Sequence, residues 1–78
     1  MLVDVITPDK TLFSGELELV KVPGIDGFFE IMNHHAPLVS ILKKGELKLV
    51  DFKKREQILE INGGVIEVNN NTVKILAE

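Results

Sequence analysis

Polar and apolar residues alternate along most of this chain. Glu16-Leu17-Glu18-Leu19 and Glu46-Leu47-Lys48-Leu49 switch at every step, and Gln57 to Ile61 sets Leu59 and Ile61 against Ile58 and Glu60. Successive side chains of an extended strand point to opposite faces, so a period of two marks strands with one buried side. No long stretch places apolar groups at helical spacing. The nearest is Ala36 to Lys44, which opens with Pro37, stops before Gly45 and carries Val39 and Ile41, residues that suit a strand.

Turn formers cut this pattern at short intervals: Pro8-Asp9-Lys10, Ser14-Gly15, Pro23 to Gly27, Lys43-Lys44-Gly45, Asp51 to Arg55, Asn62-Gly63-Gly64 and Asn69-Asn70-Asn71. Each group presets φ, tolerates positive φ or bonds its own backbone. Short strands so punctuated predict an all-β chain of about nine or ten strands, folded as a flattened antiparallel β-sandwich or barrel. The chain is expected to form a single domain over residues 1–78, with no helical hairpin at its C-terminal end.

Local expectations follow. The chain turns sharply at Gly15, and Pro23-Gly24 begins a tight turn between two strands. Pro37 holds Ala36 extended. Asn33 tolerates positive φ. Gly63-Gly64 permits a bulge or a close backbone approach. Apolar parity slips twice, from Leu17 and Leu19 to Val20 and Val22, and from Leu47 and Leu49 to Val50 and Phe52. A one-residue slip is expected to be a bulge; the alternative is a strand whose outer face is covered by a partner.

Composition narrows the function classes. Hydrophobic residues make up 45% of the chain and charged residues 27%, a globular balance, and the only aromatics are four Phe, so the core is aliphatic. At 78 residues folding removes only about 60% of the accessible surface from water, so stability is modest. Cysteine is absent, which excludes disulfides and thiolate metal sites. A net charge of −3 argues against a nucleic-acid surface. MLVDVIT lacks the basic start and long apolar run of a signal peptide, and no window is long enough for a spanning helix. A soluble, cytoplasmic chain without direct bilayer insertion is expected.

Candidate chemistry is sparse. His34 and His35 are adjacent, with Asp26 and Glu30 upstream, but neighbours on an extended backbone point apart, so they share a metal only if the loop curls. Ser14 and Ser40 have no acid–base pattern beside them, and Gly63-Gly64 lacks the helix of a phosphate loop. No catalytic, cofactor-binding or metal residues are assigned. The residues alone describe a small β-sandwich that binds something protein-like.

Three stretches stand out as a set: Leu12 to Glu16 with Val20-Lys21-Val22-Pro23-Gly24 and Gly27; His35-Ala36-Pro37-Leu38-Val39-Ser40 with Lys43 and Gly45; and Ile61-Asn62-Gly63-Gly64-Val65-Ile66-Glu67-Val68 with Val73 to Glu78. Together they resemble the N-terminal domain of ATP synthase epsilon subunits. Their order and spacing span nearly the whole chain.

The resemblance implies a non-catalytic rotor subunit of the central stalk, at the cytoplasmic face of the bacterial plasma membrane, coupling the gamma subunit to the c-ring during proton-driven ATP synthesis. By position, His35, Ala36, Pro37 and Leu38 correspond to a region lying toward gamma. The loop Asp26, Gly27, Phe28, Phe29, Glu30, Ile31 and Met32 corresponds to the end facing the c-ring, with at least one Phe as an interface anchor. The sequence departs from the family where Glu30 replaces a frequent Gly, Asn33-His34 a Pro-Gly, and Lys44 a Pro. Glu30 puts a charge near the proposed ring contact.

Many members continue into two antiparallel helices that restrain ATP hydrolysis and in some cases bind ATP. The sequence given stops at Glu78, so neither property is expected of it. On the residues alone, two other classes stand beside the rotor subunit: a β-sandwich adaptor of an unrelated complex, and a metal or ligand site at His34-His35.

Overall fold

The computed structural model describes residues 1–78. Nine strands follow one another: β1 (Leu2–Ile6), β2 (Thr11–Glu16), β3 (Leu19–Gly24), β4 (Gly27–Met32), β5 (Leu38–Leu42), β6 (Gly45–Val50), β7 (Glu56–Ile61), β8 (Gly64–Asn69) and β9 (Thr72–Ala77). There is no helix, and Leu38–Leu42 is a strand, as its β-branched residues favour.

Hydrogen bonding runs in the order β2-β1-β9-β8-β5-β3-β6-β7, and β4 pairs with β3. Strands β5 and β3 share a single pair, Gly24 with Leu42. The sheet folds over at that corner into two layers, β2-β1-β9-β8-β5 and β4-β3-β6-β7, which is the expected flattened sandwich. Strands β2 and β7 stand at the two ends of the order and do not bond to each other, so the barrel stays open there.

One pairing departs from the expected antiparallel scheme. Strands β1 and β9 run parallel, with Val3 beside Val73 and Val5 beside Ile75. A hairpin forces neighbours to run antiparallel, but strands from opposite ends of a chain have no hairpin to set their direction.

Alternation delivers the core. Val3, Val5, Ile66, Val68, Val73 and Ile75 point inward from one layer; Val20, Val22, Ile31, Leu47 and Leu49 do so from the other. No polar or charged residue is buried. Each such aliphatic side chain contributes about 1.5–3 kcal/mol by leaving water, so inward positions dominate stability.

Neither phase slip is a bulge. Leu17 and Glu18 lie between β2 and β3, where the chain crosses from one layer to the other. The Leu17 N–H donates to the Met1 carbonyl and the Glu18 N–H to that of Val50. At the second slip, β6 ends at Val50 and Phe52 lies in the following turn. Leu19 and Val50 sit opposite each other on the outer face, with Met32 next in the row. The register shift that does occur falls between Val5 and Ile6, where Leu12 of β2 is the extra residue.

Three local expectations need correction. Ser14 and Gly15 do not turn; they pair with Asp4 and Val3 inside β2. The chain stays extended there because a bend would break the ladder with β1, and Gly15 lies against the Phe13 ring, 3.4 Å from an added Cβ. The chain does turn at Asn33-His34, but positive φ falls on His34 (62°) and not on Asn33, whose side chain accepts a hydrogen bond from the Met1 amino group. The segment Asp26 to Met32 is mostly strand β4, because Ile25-Asp26 alone makes the two-residue turn from β3.

Other turns behave as their residues suggest. Asn70 (φ 50°) and Asn71 (φ 57°) close the β8–β9 hairpin in the left-handed conformation that Asn tolerates. Asp51 organises the turn from β6 to β7, accepting from the N–H groups of Lys53 and Arg55 at 2.8 and 3.0 Å and from the Arg55 side chain at 2.7 Å. The Arg55 backbone N–H foremost, against a smaller effect of burial, holds the Asp51 carboxyl below the usual carboxylate range, with the Arg55 side chain and the Lys53 N–H adding to it.

Gly64 permits the tightest approach. Its φ is +154°, and a Cβ there would overlap the Leu76 carbonyl oxygen. Gly27 also has positive φ (+129°) but open space around it. We therefore expect Gly64→Ala to cost at least about 2 kcal/mol in urea unfolding, and clearly more than Gly27→Ala. Equal losses at the two sites would show that backbone strain, and not the overlap, is what matters at Gly64.

Candidate interaction surface

The residues weighed as candidates for chemistry are scattered. His34 and His35 lie in the connection from β4 to β5, where the chain does curl, yet no three His, Asp or Glu side chains come close enough together to hold a metal ion. The His34 N–H donates to Asn71 Oδ1 at 2.7 Å, the His35 N–H to the Met32 carbonyl at 3.1 Å, and His35 Nδ1 lies 2.7 Å from the Ala36 carbonyl. Ser14 donates to Asp4 Oδ1 at 2.6 Å across β1 and β2, and neither histidine is on those strands. Every buried side-chain nitrogen or oxygen has a partner.

The outside of the sandwich is more distinctive. In-register pairing sets Ile6, Leu76, Val65 and Ile41 side by side across β1, β9, β8 and β5. All four lie on the face opposite the core, and Leu76 and Ile41 are 52% and 58% exposed. Val39, 70% exposed, stands on the same face of β5. The neighbouring row, Glu67, Lys74 and Asp4, is polar. An apolar strip beside a charged one has the make-up of a protein contact surface.

That strip could have been found in the sequence. Val5-Ile6, Ile41-Leu42, Val65-Ile66 and Ile75-Leu76 are apolar doublets, and a doublet within a strand puts one side chain on each face. What the sequence lacks is the register that lines up the four outward members.

The segments expected to meet partners lie at opposite ends of β4. Asp26 is in the turn before it, whereas His35, Ala36 and Pro37 follow it and Leu38 opens β5. Six strand residues separate these ends by about 20 Å. Ala36 and Pro37 are exposed, and His35 and Leu38 are half-buried. Within Asp26 to Met32, Phe28, Glu30 and Met32 point out, and Phe28 is 58% exposed with Lys21 Nζ 5.2 Å from its ring centre. Phe29 packs on the core and Ile31 is fully buried, because alternation along β4 turns them inward.

This arrangement defines a class: a small two-layer strand domain with apolar rows on its outer faces. Over residues 1–78 it matches the family described as the ATP synthase delta/epsilon chain, beta-sandwich domain, and the chain belongs to that family. The ATP synthase epsilon chain of Chlorobium limicola is 45% identical over 75 residues, covering 96% of this chain and 85% of that protein. The epsilon chain of Leptospira borgpetersenii is 46% identical over 76 residues, covering 97% of this chain but 59% of its own length.

Among solved structures, a chain in the Euglena gracilis mitochondrial ATP synthase OSCP/F1/c-ring assembly superposes with a TM-score of 0.90 at 19% identity, over 96% of this chain and 48% of that one. A chain in the Tetrahymena thermophila mitochondrial central stalk/c-ring assembly gives 0.79 at 23% identity, over 97% and 61%. At those identities the likeness is one of fold.

The split between the two phenylalanines is measurable. Phe29→Ser is expected to cost about 2 kcal/mol in denaturant unfolding, because it removes an aromatic from the core margin. Phe28→Ser is expected to cost less than about 0.5 kcal/mol, the range for surface positions. Similar losses at both would place Phe28 in the core.

Proposed function

We propose that this chain is a coupling subunit of the ATP synthase rotor, which binds the gamma subunit and the c-ring and performs no chemistry of its own. The observation that carries it is the outward row Ile41, Val65, Leu76 and Ile6, beside Val39. A domain of this size gains little from aliphatic groups left in water, so an aligned exposed row fits a surface that a partner covers. Family membership, the epsilon-chain relatives and the central-stalk assemblies in which the fold recurs point to the same class of partner. Membership also replaces the adaptor of an unrelated complex as the reading of this sandwich.

In this proposal gamma lies along β5, against Val39 and Ile41 and against His35, Ala36, Pro37 and Leu38 at its start. The c-ring meets the other end of the β3–β4 hairpin, through Asp26 and Phe28, with Gly27, Glu30 and Met32 along the same strand. Phe29 and Ile31 support that strand from inside. Torque passes as contact force through a stiff two-layer body. Coupling is the task of residues 1–78, and ATP binding and restraint of hydrolysis are not among their tasks. No helix of the chain is long and apolar enough to cross a membrane. The subunit sits at the cytoplasmic face of the bacterial plasma membrane, held there by its partners.

Titration of purified gamma into the protein is expected to show saturable binding. Ile41→Asp should weaken it at least about tenfold while leaving the melting temperature within a few degrees, since the side chain is already exposed. Absence of saturable binding by the unaltered protein would remove gamma from the proposal.

For the ring contact, Phe28→Ser is expected to lower ATP-driven proton pumping in reconstituted vesicles more than it lowers ATP hydrolysis. Pumping and hydrolysis that stay in their normal ratio would exclude Phe28 from coupling.

A further inference from the structure

The connection from β4 to β5 carries the proposed gamma contact, yet little in its own sequence holds it in shape. His34 sits at φ 62°, a conformation disfavoured for any residue with a Cβ. The His35 N–H bond to the Met32 carbonyl closes the turn behind it. The remaining support comes from far along the chain, from the Met1 amino group, which donates to Asn33 Oδ1, and from the β8–β9 hairpin. Asn71, at the tip of the β8–β9 hairpin, accepts the His34 N–H on its side-chain oxygen at 2.7 Å. Its own carbonyl accepts from the Leu2 N–H at 3.2 Å, which ties the hairpin tip to the start of β1.

Asn71 therefore stands between a fixed strand and a strained turn. Its backbone, at φ 57°, is anchored to β1, and its amide oxygen reaches the one N–H that His34 directs away from the turn. Because β5 starts four residues after His34, an error in direction there is passed to His35, Ala36, Pro37 and Leu38.

We infer that Asn71 is a positioning residue for gamma binding: its side chain fixes the left-handed turn at His34 and so presents the β4–β5 connection to gamma. Asn71 does not itself touch gamma in this arrangement. The inference rests on the proposed gamma contact.

The substitution Asn71→Gly separates the two roles of the residue, because Gly adopts φ near 57° freely and lacks only the acceptor. Asn71→Asp restores an acceptor and tolerates the same backbone. In Asn71→Gly the His34 amide is expected to exchange with solvent at least about tenfold faster, and purified gamma to bind about tenfold more weakly, the scale of one net hydrogen bond. Asn71→Asp should return both values to within about twofold of the unaltered protein, and the melting temperature of each variant should change by only a few degrees.

Gamma affinity that stays normal in Asn71→Gly, or that Asn71→Asp fails to restore, overturns the inference alone. Failure of the unaltered protein to bind gamma overturns the gamma contact and this inference together.

Discussion

Strands β1 and β9 run parallel through the middle of one layer, and their register decides what both faces of that layer present. With Val3 beside Val73 and Val5 beside Ile75, four fully buried side chains meet at the centre of the core. The same register sets Ile6 beside Leu76 on the outside. A slip of one residue would exchange the faces, sending the core groups into water and drawing Asp4 and Lys74 inward. The pairing also joins the β1–β2 hairpin to the rest of the sheet, since β2 bonds to nothing else. Inner core and outer strip thus depend on one contact between the two ends of the chain.

That dependence explains which parts of the fold were legible in the sequence. Strands such as β6 were, because Leu47 and Leu49 alternate with Glu46 and Lys48, and alternation is local. The pair Gly63-Gly64 read as a bulge or a close approach, and only the position of Leu76 on β9 decides for the close approach at Gly64. The parallel direction of β9 was not, because nothing near Val73 states which strand lies beside it. Leu17 read as strand because its neighbours alternate, whereas the chain is there crossing between layers, a matter of tertiary distance. Asn33 looked like the natural holder of positive φ. The conformation falls on His34 because the Asn33 side chain is drawn to the Met1 amino group, and Asn71, on another hairpin, accepts the His34 N–H.

The candidate surface divides in the same way. Phe28 and Phe29 could be singled out by type but not sorted, since the choice between core and solvent belongs to the parity of β4. The outward row is written as doublets in four strands, each unremarkable by itself. It becomes a surface only when the pairing brings Ile41, Val65, Leu76 and Ile6 abreast. A pocket enzyme announces itself by unusual residues in close spacing; a contact surface made of ordinary aliphatics is visible only after folding.

Strand-to-strand pairing joins the two layers along one corner, at Gly24 and Leu42, while β2 and β7 leave the opposite side unsealed. A closed barrel resists twisting through a continuous ring of hydrogen bonds. Here a load that slides one layer over the other meets interlocked side chains on most of its path. The elastic response of the body is therefore set by how tightly Val, Ile and Leu mesh between the plates. Trimming a methyl group from that mesh would soften the domain in shear well before it altered any surface that touches a neighbour.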